Sequence, residues 1–477
     1  MSRQGSIRWV IGIAFVAVFL RVIVLFAFPA SFAEDPDAYR SIASTIAERG
    51  VFGLIDDNGT ANSTVFRPPL YPWLLSFCVD GNGTVWNRVA TLHIAMSTLM
   101  AIATFLAAQR LIGSLQSDSD RRGFTSSTNR LAAAAALMTI IDPILLRQSA
   151  ELMTETLAAL LAAITILLWA VCFPVSSNVP RFRVPVLAGL GVSLGLSYLC
   201  RPTFLVWGVF LVLALLVQRN TVGSDSRKSL GRLAGFRDRL RLNWVCAVAV
   251  LVPLAMAVFS WTIRNHRVAG HYVWATTHGG YTLLLANNES FYDYLRDREL
   301  GETWDAEPFF QAYDHRYDGD PTTEAFWRRD WSNRERLRTA TSEYEDDRLC
   351  YESAKATIIR QPGMFVWSCL VRAGRFWSPL PYLVGDRSTI AISVVAVYYT
   401  IIILAVLIAL VRWRTRILGP RWWAIGLLVF ALTAVHAVYW SNLRMRAPVM
   451  PGLAIVAVAA FLGLGRTTRL SVEADST

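Results

Sequence analysis

Apolar stretches of about twenty residues, long enough to cross a bilayer as helices, recur ten times along this 477-residue chain and constrain it more than any other feature. They occupy residues 9–29, 86–108, 131–146, 152–173, 184–199, 202–217, 244–263, 390–411, 422–440 and 449–464. Only 17% of the residues are charged and 54% are hydrophobic, against about 25% charged in an ordinary soluble domain. The sequence therefore predicts an all-α polytopic membrane protein with about ten transmembrane helices. The first stretch follows Arg3 and Arg8 as a secretory signal would, but it is too long and has no convincing small-residue cleavage site, so it reads as a retained helix.

Basic residues mark every second connection. Arg3 and Arg8 come first, then Arg110, Arg121, Arg122 and Arg130, then Arg181 and Arg183. Residues 219–241, Arg412, Arg414, Arg416 and Arg421, and finally Arg466 and Arg469 continue the pattern. The positive-inside rule assigns these connections and both termini to the cytoplasm of a plasma or bacterial inner membrane. Acidic residues gather on the other side. Of 35, seven lie in 31–85 and eighteen in 264–384. The second segment also holds fifteen Lys or Arg and many aromatics; loops of that length are usually folded or functional. Helix-like stretches cover 324–338 and 344–360. The expected division is a transmembrane module at 1–263 with the first exoplasmic loop at 31–85, an exoplasmic subdomain at 264–384, and C-terminal helices with a short tail at 385–477. Residues 113–129 and 220–235 read as cytoplasmic linkers.

Several function classes drop out. The six cysteines have no metal or redox spacing. The net charge of +11 comes from arginines in short inter-helix stretches rather than one basic face, so nucleic acid is not implied. No Ser/His arrangement suggests an acyl nucleophile and no glycine loop a phosphate cradle; the inverted pair of interrupted helices found in many secondary transporters is not seen either, though that alone does not remove a transporter. His93 and His436 are lone histidines in apolar helices and read as core residues.

What composition does not explain is a set of charges at one side. Glu34, Asp35 and Asp37 directly follow the first span, either as a base at the membrane surface or as the cap and acidic first turn of a helix over 36–49. Arg67 opens the stiff run Arg67-Pro-Pro-Leu-Tyr71-Pro-Trp, where it is either an interfacial anchor or a fork for phosphate oxygens. Arg21, Asp142, Arg147, Glu151, Glu155 and Arg201 lie in or beside spans, where ionisable groups usually pair or face a polar cavity. Arg264, Arg444 and Arg446 stand on the exoplasmic side, which the positive-inside rule disfavours; an anionic lipid phosphate is an economical reason for them. Sequons occur at Asn58, Asn62, Asn82 and Asn288.

Taken in order, Asp35 to Tyr39, Arg67-Pro-Pro-Leu-Tyr-Pro, Met153-Thr-Glu155-Thr-Leu, Leu199-Cys-Arg201-Pro-Thr, Trp261-Thr-Ile-Arg264-Asn, Gly279-Gly-Tyr281 with Asn287-Asn288, and Arg444-Met-Arg446-Ala-Pro resemble the motifs of the GT-C glycosyltransferases. Within these the chain is similar to the branch of protein O-mannosyltransferases and the lipid A aminoarabinose transferase. The resemblance covers roughly residues 9 to 455 and implies inverting transfer of one sugar from a polyprenyl-phosphate carrier, with no nucleotide sugar, to a protein, glycolipid or cell-wall acceptor on the exoplasmic face. It gives Asp35 the general base, with Asp37 the alternative because Pro36 stands where relatives carry glutamate. Arg67, Arg201, Arg264, Arg444 and Arg446 become phosphate contacts, and Glu34, Tyr39, Tyr71, Glu155, His278 and Tyr281 line the cavity. No cofactor is required by it, and metal dependence stays open. The competing class is a multi-pass transporter or flippase of a lipid-linked or anionic substrate, which needs a pathway open to both faces.

Overall fold

The structure, a computed structural model, describes residues 3–28, 32, 34–81, 83–115, 125–173, 183–218, 232–297, 302–339, 342–381 and 388–462. Arg121, Arg122, Arg181, Arg466, Arg469, Asn82, the expected boundary at 384–385 and most of the two expected linkers lie outside these residues.

An apolar helix stands at each of the ten expected places. They are α1 (Arg3–Ala27), α4 (Trp86–Gly113), α5 (Thr125–Ile141) continued by α6 (Pro143–Gln148), α7 (Glu155–Val171), α8 (Val184–Cys200), α9 (Phe204–Val217), α10 (Arg232–Ala269), α17 (Thr389–Ile417), α18 (Trp423–Val438) and α19 (Met450–Ala459). Five of them, α1, α4, α10, α17 and α18 with its preceding 3-10 turn, are long and apolar enough to cross a membrane by themselves. The third span is broken. Asp142 leaves the helical conformation, accepts the Leu145 backbone N–H at 2.9 Å and places Pro143 at the first helical position of α6, the ordinary chemistry of a helix start. Side chains such as Phe15, Met256, Phe259 and Ile401 point outward, as a helix surface facing lipid requires. Inside, α8 and α10 approach closely because Gly191 has no side chain: a Cβ there would sit 2.4 Å from the Val250 carbonyl oxygen. Small residues at such crossings allow backbone contact in a membrane.

Two connections at one end of this bundle are built up. The first, between α1 and α4, contains α2 (Tyr39–Arg49), the hairpin β1 (Gly53–Ile55) and β2 (Ala61–Ser63) with Leu54 opposite Asn62, α3 (Leu70–Ser76), and the short pair β3 (Val79–Asp80) and β4 (Gly83–Thr84). The second, after α10, contains α11 (Gly279–Ala286), α12 (Glu289–Asp297), α13 (Glu307–Asp314), α14 (Glu324–Trp327), α15 (Glu343–Arg360) and α16 (Pro362–Trp377). Leu283, Leu284, Phe309, Ala312, Phe326, Trp327, Trp331, Cys350 and Ala354 form an apolar cluster of their own there, beside the main core of the membrane helices.

Three expectations change. The helix expected over 324–338 ends at Trp327, and 332–339 is irregular and exposed, its arginine-rich run holding a single apolar residue, Leu337, which is itself exposed. The first-loop helix begins at Tyr39 rather than at residue 36, for a reason taken up below. α16 was not anticipated: it buries Ser368, Arg372 and Phe376 while exposing Val366, Trp367 and Leu370, an outward apolar face of the kind that lies in a membrane interface. Asn288, one of the four sequon asparagines, is fully buried and donates to the Leu284 and Leu285 carbonyls.

Candidate functional site

The chain leaves α1 and turns sharply before α2. Asp35 reaches across this turn, one oxygen accepting from the Arg40 backbone N–H (3.1 Å) and the other from the N–H and hydroxyl of Ser41 (both 2.9 Å). The helix-cap reading of Asp35 is thus what its side chain does, but from further upstream than a usual cap. To fit the turn, Ala38 takes φ of 58°, the single non-glycine residue with positive φ among those described. That conformation costs an alanine about 1–2 kcal/mol, and it is why α2 cannot start at Pro36. Strain of this kind tends to sit where side chains must be aimed; here it separates Asp37 from Tyr39.

Asp37 points the other way, to Arg67, at 2.7 Å from Nη2, while its carbonyl accepts from Arg67 Nε at 2.8 Å. The guanidinium lies 4.2 Å from the Phe66 ring centroid and 5.6 Å from that of Tyr39, so the proline-rich turn holds it by charge and by aromatic faces. Tyr39 meets Tyr71 edge-on at 5.3 Å. The Tyr71 hydroxyl bonds His93 Nε2 at 2.9 Å, and His93 Nδ1 lies 3.0 Å from the Ser149 carbonyl oxygen. The carbonyl must be met by Nδ1–H, so Nε2 is the acceptor for Tyr71. His93 is the satisfied core histidine its surroundings suggested, and it props the wall of the site.

Helix ends supply the other half. Glu155, 1% exposed at the start of α7, faces Arg201 Nη2 at 2.9 Å and Arg444 Nε at 3.6 Å. Arg201 comes from the break between α8 and α9, where its Nε also donates to Thr154 Oγ1 at 2.8 Å. Arg444 comes from a 3-10 turn, Leu443–Val449, between α18 and α19. The Tyr39 hydroxyl feels both pairs, Arg67 with Asp37 and Arg201 with Glu155; burial, the dominant effect, pushes it up to about 12. One carboxylate between two arginines leaves a net positive charge. Glu155 Oε2, Gln148 Oε1, Ser441 Oγ, Asn442 Oδ1 and Arg444 Nε are buried and lack hydrogen-bond partners among the described residues. Buried polar groups are seldom left so, and these five, from three helix ends, can be satisfied by water or by a polar ligand.

The second loop closes over the first. His278 packs against Phe66 and Tyr281, both at 5.0 Å. Burial first, and the Arg67 charge second, pull it down to about 3, so it is neutral near pH 7. A latch missed in the sequence fixes this contact: Glu343, at the start of α15, accepts from Thr64 Oγ1 (2.5 Å), the Val65 N–H (3.0 Å) and Thr277 Oγ1 (3.3 Å). Its partners lie up to 279 residues away, and no local pattern announces them.

Arg67, Asp37, Tyr39, Tyr71, Arg201, Glu155 and Arg444 are thus linked by contact or by charge, His278 joins them through Phe66 and Tyr281, Asp35 is turned to the start of α2, and Glu34 is exposed. Two expected phosphate contacts are otherwise engaged. Arg264 donates to the carbonyls of Thr64 (2.5 Å) and Phe52 (3.0 Å) and stacks on Phe52 and Trp261, tying the first loop to α10. Arg446 is buried and donates to the carbonyls of Phe376 and Ser378. Among the described residues no group of three His, Cys, Asp or Glu side chains is arranged to hold a metal ion.

Neither a family model nor a curated protein matches the sequence. Solved structures do. The apo oligosaccharyltransferase of Archaeoglobus fulgidus superposes over 99% of this chain and 52% of its own, with 14% identity and a TM-score of 0.51. The same archaeon's oligosaccharyltransferase AglB, in complex with an inhibitory peptide and a dolichol-phosphate, gives 15% identity and a TM-score of 0.49 over 98% of this chain and 52% of its own. ArnT of Cupriavidus metallidurans, bound to undecaprenyl phosphate, gives 14% and 0.37 over 96% and 78%. The chain spans about half the length of the oligosaccharyltransferases, and the likeness is one of fold.

Proposed function

We propose that this chain, built on the GT-C fold, moves a sugar from a polyprenyl-phosphate carrier to an acceptor hydroxyl at the outer face of a membrane. The observation that carries the reading is the meeting of Arg201 and Arg444 on the single carboxylate of Glu155, buried and beside unpartnered polar atoms, with the Arg67–Asp37 pair near enough that Tyr39 feels both. Such a place suits a phosphate whose ester bond is about to break, because arginines can take up the charge as it develops.

In the proposed reaction a carboxylate, Asp35 by resemblance, takes the acceptor proton. The freed oxygen attacks the anomeric carbon as the bond from that carbon to the carrier phosphate breaks, its electron pair passing to the phosphate oxygen; a single displacement inverts the centre. Phosphate is a good leaving group and needs cations rather than a second acid. Asp37 keeps Arg67 aimed, and neutral His278 stands over Arg67 without repelling it strongly. The sugar and the acceptor class, whether protein, glycolipid or cell-wall polymer, follow from experiment.

The test uses purified protein in lipid with a panel of polyprenyl-phosphate sugars, reading release of polyprenyl phosphate with and without acceptor extract. Acceptor-dependent release is expected, reduced at least a hundredfold in Asp35→Asn and about tenfold in Arg67→Ala, scales in line with loss of a general base and of one charged hydrogen bond. If donor is consumed equally by Asp35→Asn, that residue is not the base. If no donor is consumed while sealed vesicles move a lipid-linked anion between leaflets, the transporter reading takes over.

A further inference from the structure

The turn Leu443–Val449 sends two arginines to different places. Arg444 reaches Glu155; Arg446, two residues on, enters a cluster that the proposed reaction does not use. Its guanidinium lies 4.2 Å from the Tyr399 ring centroid. The Tyr399 hydroxyl donates to Asp142 Oδ1 at 3.0 Å and accepts from the Ile144 N–H at 3.2 Å. Tyr399 thus joins the two charges, ring under the cation and hydroxyl on the carboxylate. Arg21 of α1 feels the same carboxylate and donates to the Ile140 carbonyl at 2.7 Å. Arg21, Asp142 and Arg446 are each at most 1% exposed, and Asp142 Oδ2, Arg21 Nε and Arg446 Nε and Nη2 have no hydrogen-bond partner among the described residues. Charges buried this way are costly and persist where they serve a purpose.

From this cluster two rigid connections run to the donor site. One is the two-residue step from Arg446 back to Arg444. The other is α6, which Asp142 caps: it ends beside Ser149, whose carbonyl holds His93, which holds Tyr71, which packs on Tyr39 under Arg67. Gln148, at its end, also bonds Glu151 and accepts from Thr156 next to Glu155.

We infer that Asp142 is a positioning residue for carrier binding, fixing Arg446, and through it the turn that presents Arg444 to the phosphate. This rests on the donor reading above. Asp142→Asn keeps an oxygen for Leu145 and Tyr399 but removes the charge that Arg446 feels across the Tyr399 ring, which leaves the guanidinium to that ring and to the carbonyls of Phe376 and Ser378, so the turn is held less firmly while α6 keeps its cap.

The experiment measures binding of a polyprenyl phosphate of defined length to the full chain in nanodiscs, for wild type, Asp142→Asn, Arg444→Gln and the double variant, with thermal unfolding recorded alongside. Asp142→Asn and Arg444→Gln are each expected to weaken binding about tenfold, and the double variant no more than Arg444→Gln alone, the non-additivity that marks two residues acting as one unit. Tyr399→Phe, which keeps the ring under Arg446, is expected to fall between wild type and Asp142→Asn, and it stands in should Asp142→Asn fail to fold. Unchanged binding in both variants, or effects that add fully to Arg444→Gln, would overturn this inference alone. Absence of binding by wild type would overturn the donor reading and this inference with it.

Discussion

In the proposed site Glu155 sets the charge at the donor phosphate, since its one carboxylate meets two arginines. Glu155→Gln retains an oxygen for Arg201 but frees a full positive charge. The departing polyprenyl phosphate, more negative than the donor, is then held most tightly, so slowed product release is expected to lower kcat and KM together, each about tenfold, with kcat/KM little changed. Steady-state kinetics on the donor decide it, and unchanged constants would remove Glu155 from the site. Residues of this kind were legible in the sequence because a carboxylate or arginine beside an apolar span has few reasons to be there. Arg264 and Arg446 met the same criterion and took other roles, because a guanidinium satisfies backbone carbonyls as readily as phosphate and sequence does not record which is nearer. Glu343 met no criterion at all: an acidic residue in an acidic loop, it acts through partners brought to it by folding.

At the scale of elements, α11 and α15 decide how the second loop covers the first. Gly280 sits where a Cβ would be 2.0 Å from the Asp347 carbonyl oxygen, and its N–H donates to Asp347 Oδ1 at 2.6 Å. Burial raises the Asp347 carboxyl to about 6, against the pull of that hydrogen bond. The acid is therefore protonated in the fold over a range where it is ionised in an unfolded chain. The stability it contributes is greatest below its ordinary value near 4 and is lost as pH rises towards 6, since the unfolded state there binds fewer protons. Hydrogen exchange of α11 amides should show protection falling between pH 4 and 6, and Asp347→Asn should flatten that slope; an unchanged slope would assign it to other groups. The ten apolar helices could be read from the sequence because lipid demands long uncharged stretches. The onset of α2 could not, since it depends on Ala38 accepting a left-handed backbone, nor could α16, whose outward apolar face makes sense only once its buried side is known.

For the whole molecule, the functional reading requires that the wall of the site face away from the cytoplasm. The arginines of the opposite end argue for it: Arg110, Arg412, Arg414, Arg416 and Arg421 fall at helix ends remote from Glu155 in chain topology, and a basic end is retained inside. Cysteine labelling can decide the matter because five of the six native cysteines are buried and the sixth, Cys369, lies partly buried beside Arg372. Single cysteines at Ser332, exposed in the second loop, and at Thr415, exposed at the far end of α17, should then report opposite sides. In intact cells a membrane-impermeant thiol reagent is expected to label Ser332→Cys and to reach Thr415→Cys only after permeabilisation, with wild type giving the background from Cys369. The reverse pattern would put Asp35 and Arg67 in the cytoplasm, where a donor presented at the outer leaflet never meets them, and a polyprenyl-phosphate transferase acting outside would have to be abandoned whatever the kinetics of isolated protein showed. Labelling at Ser332→Cys alone would put Arg67, Arg201 and Arg444 on the outer side, where the proposed donor phosphate is presented, and would tie the charge pattern that orients the helices to the chemistry proposed at their ends.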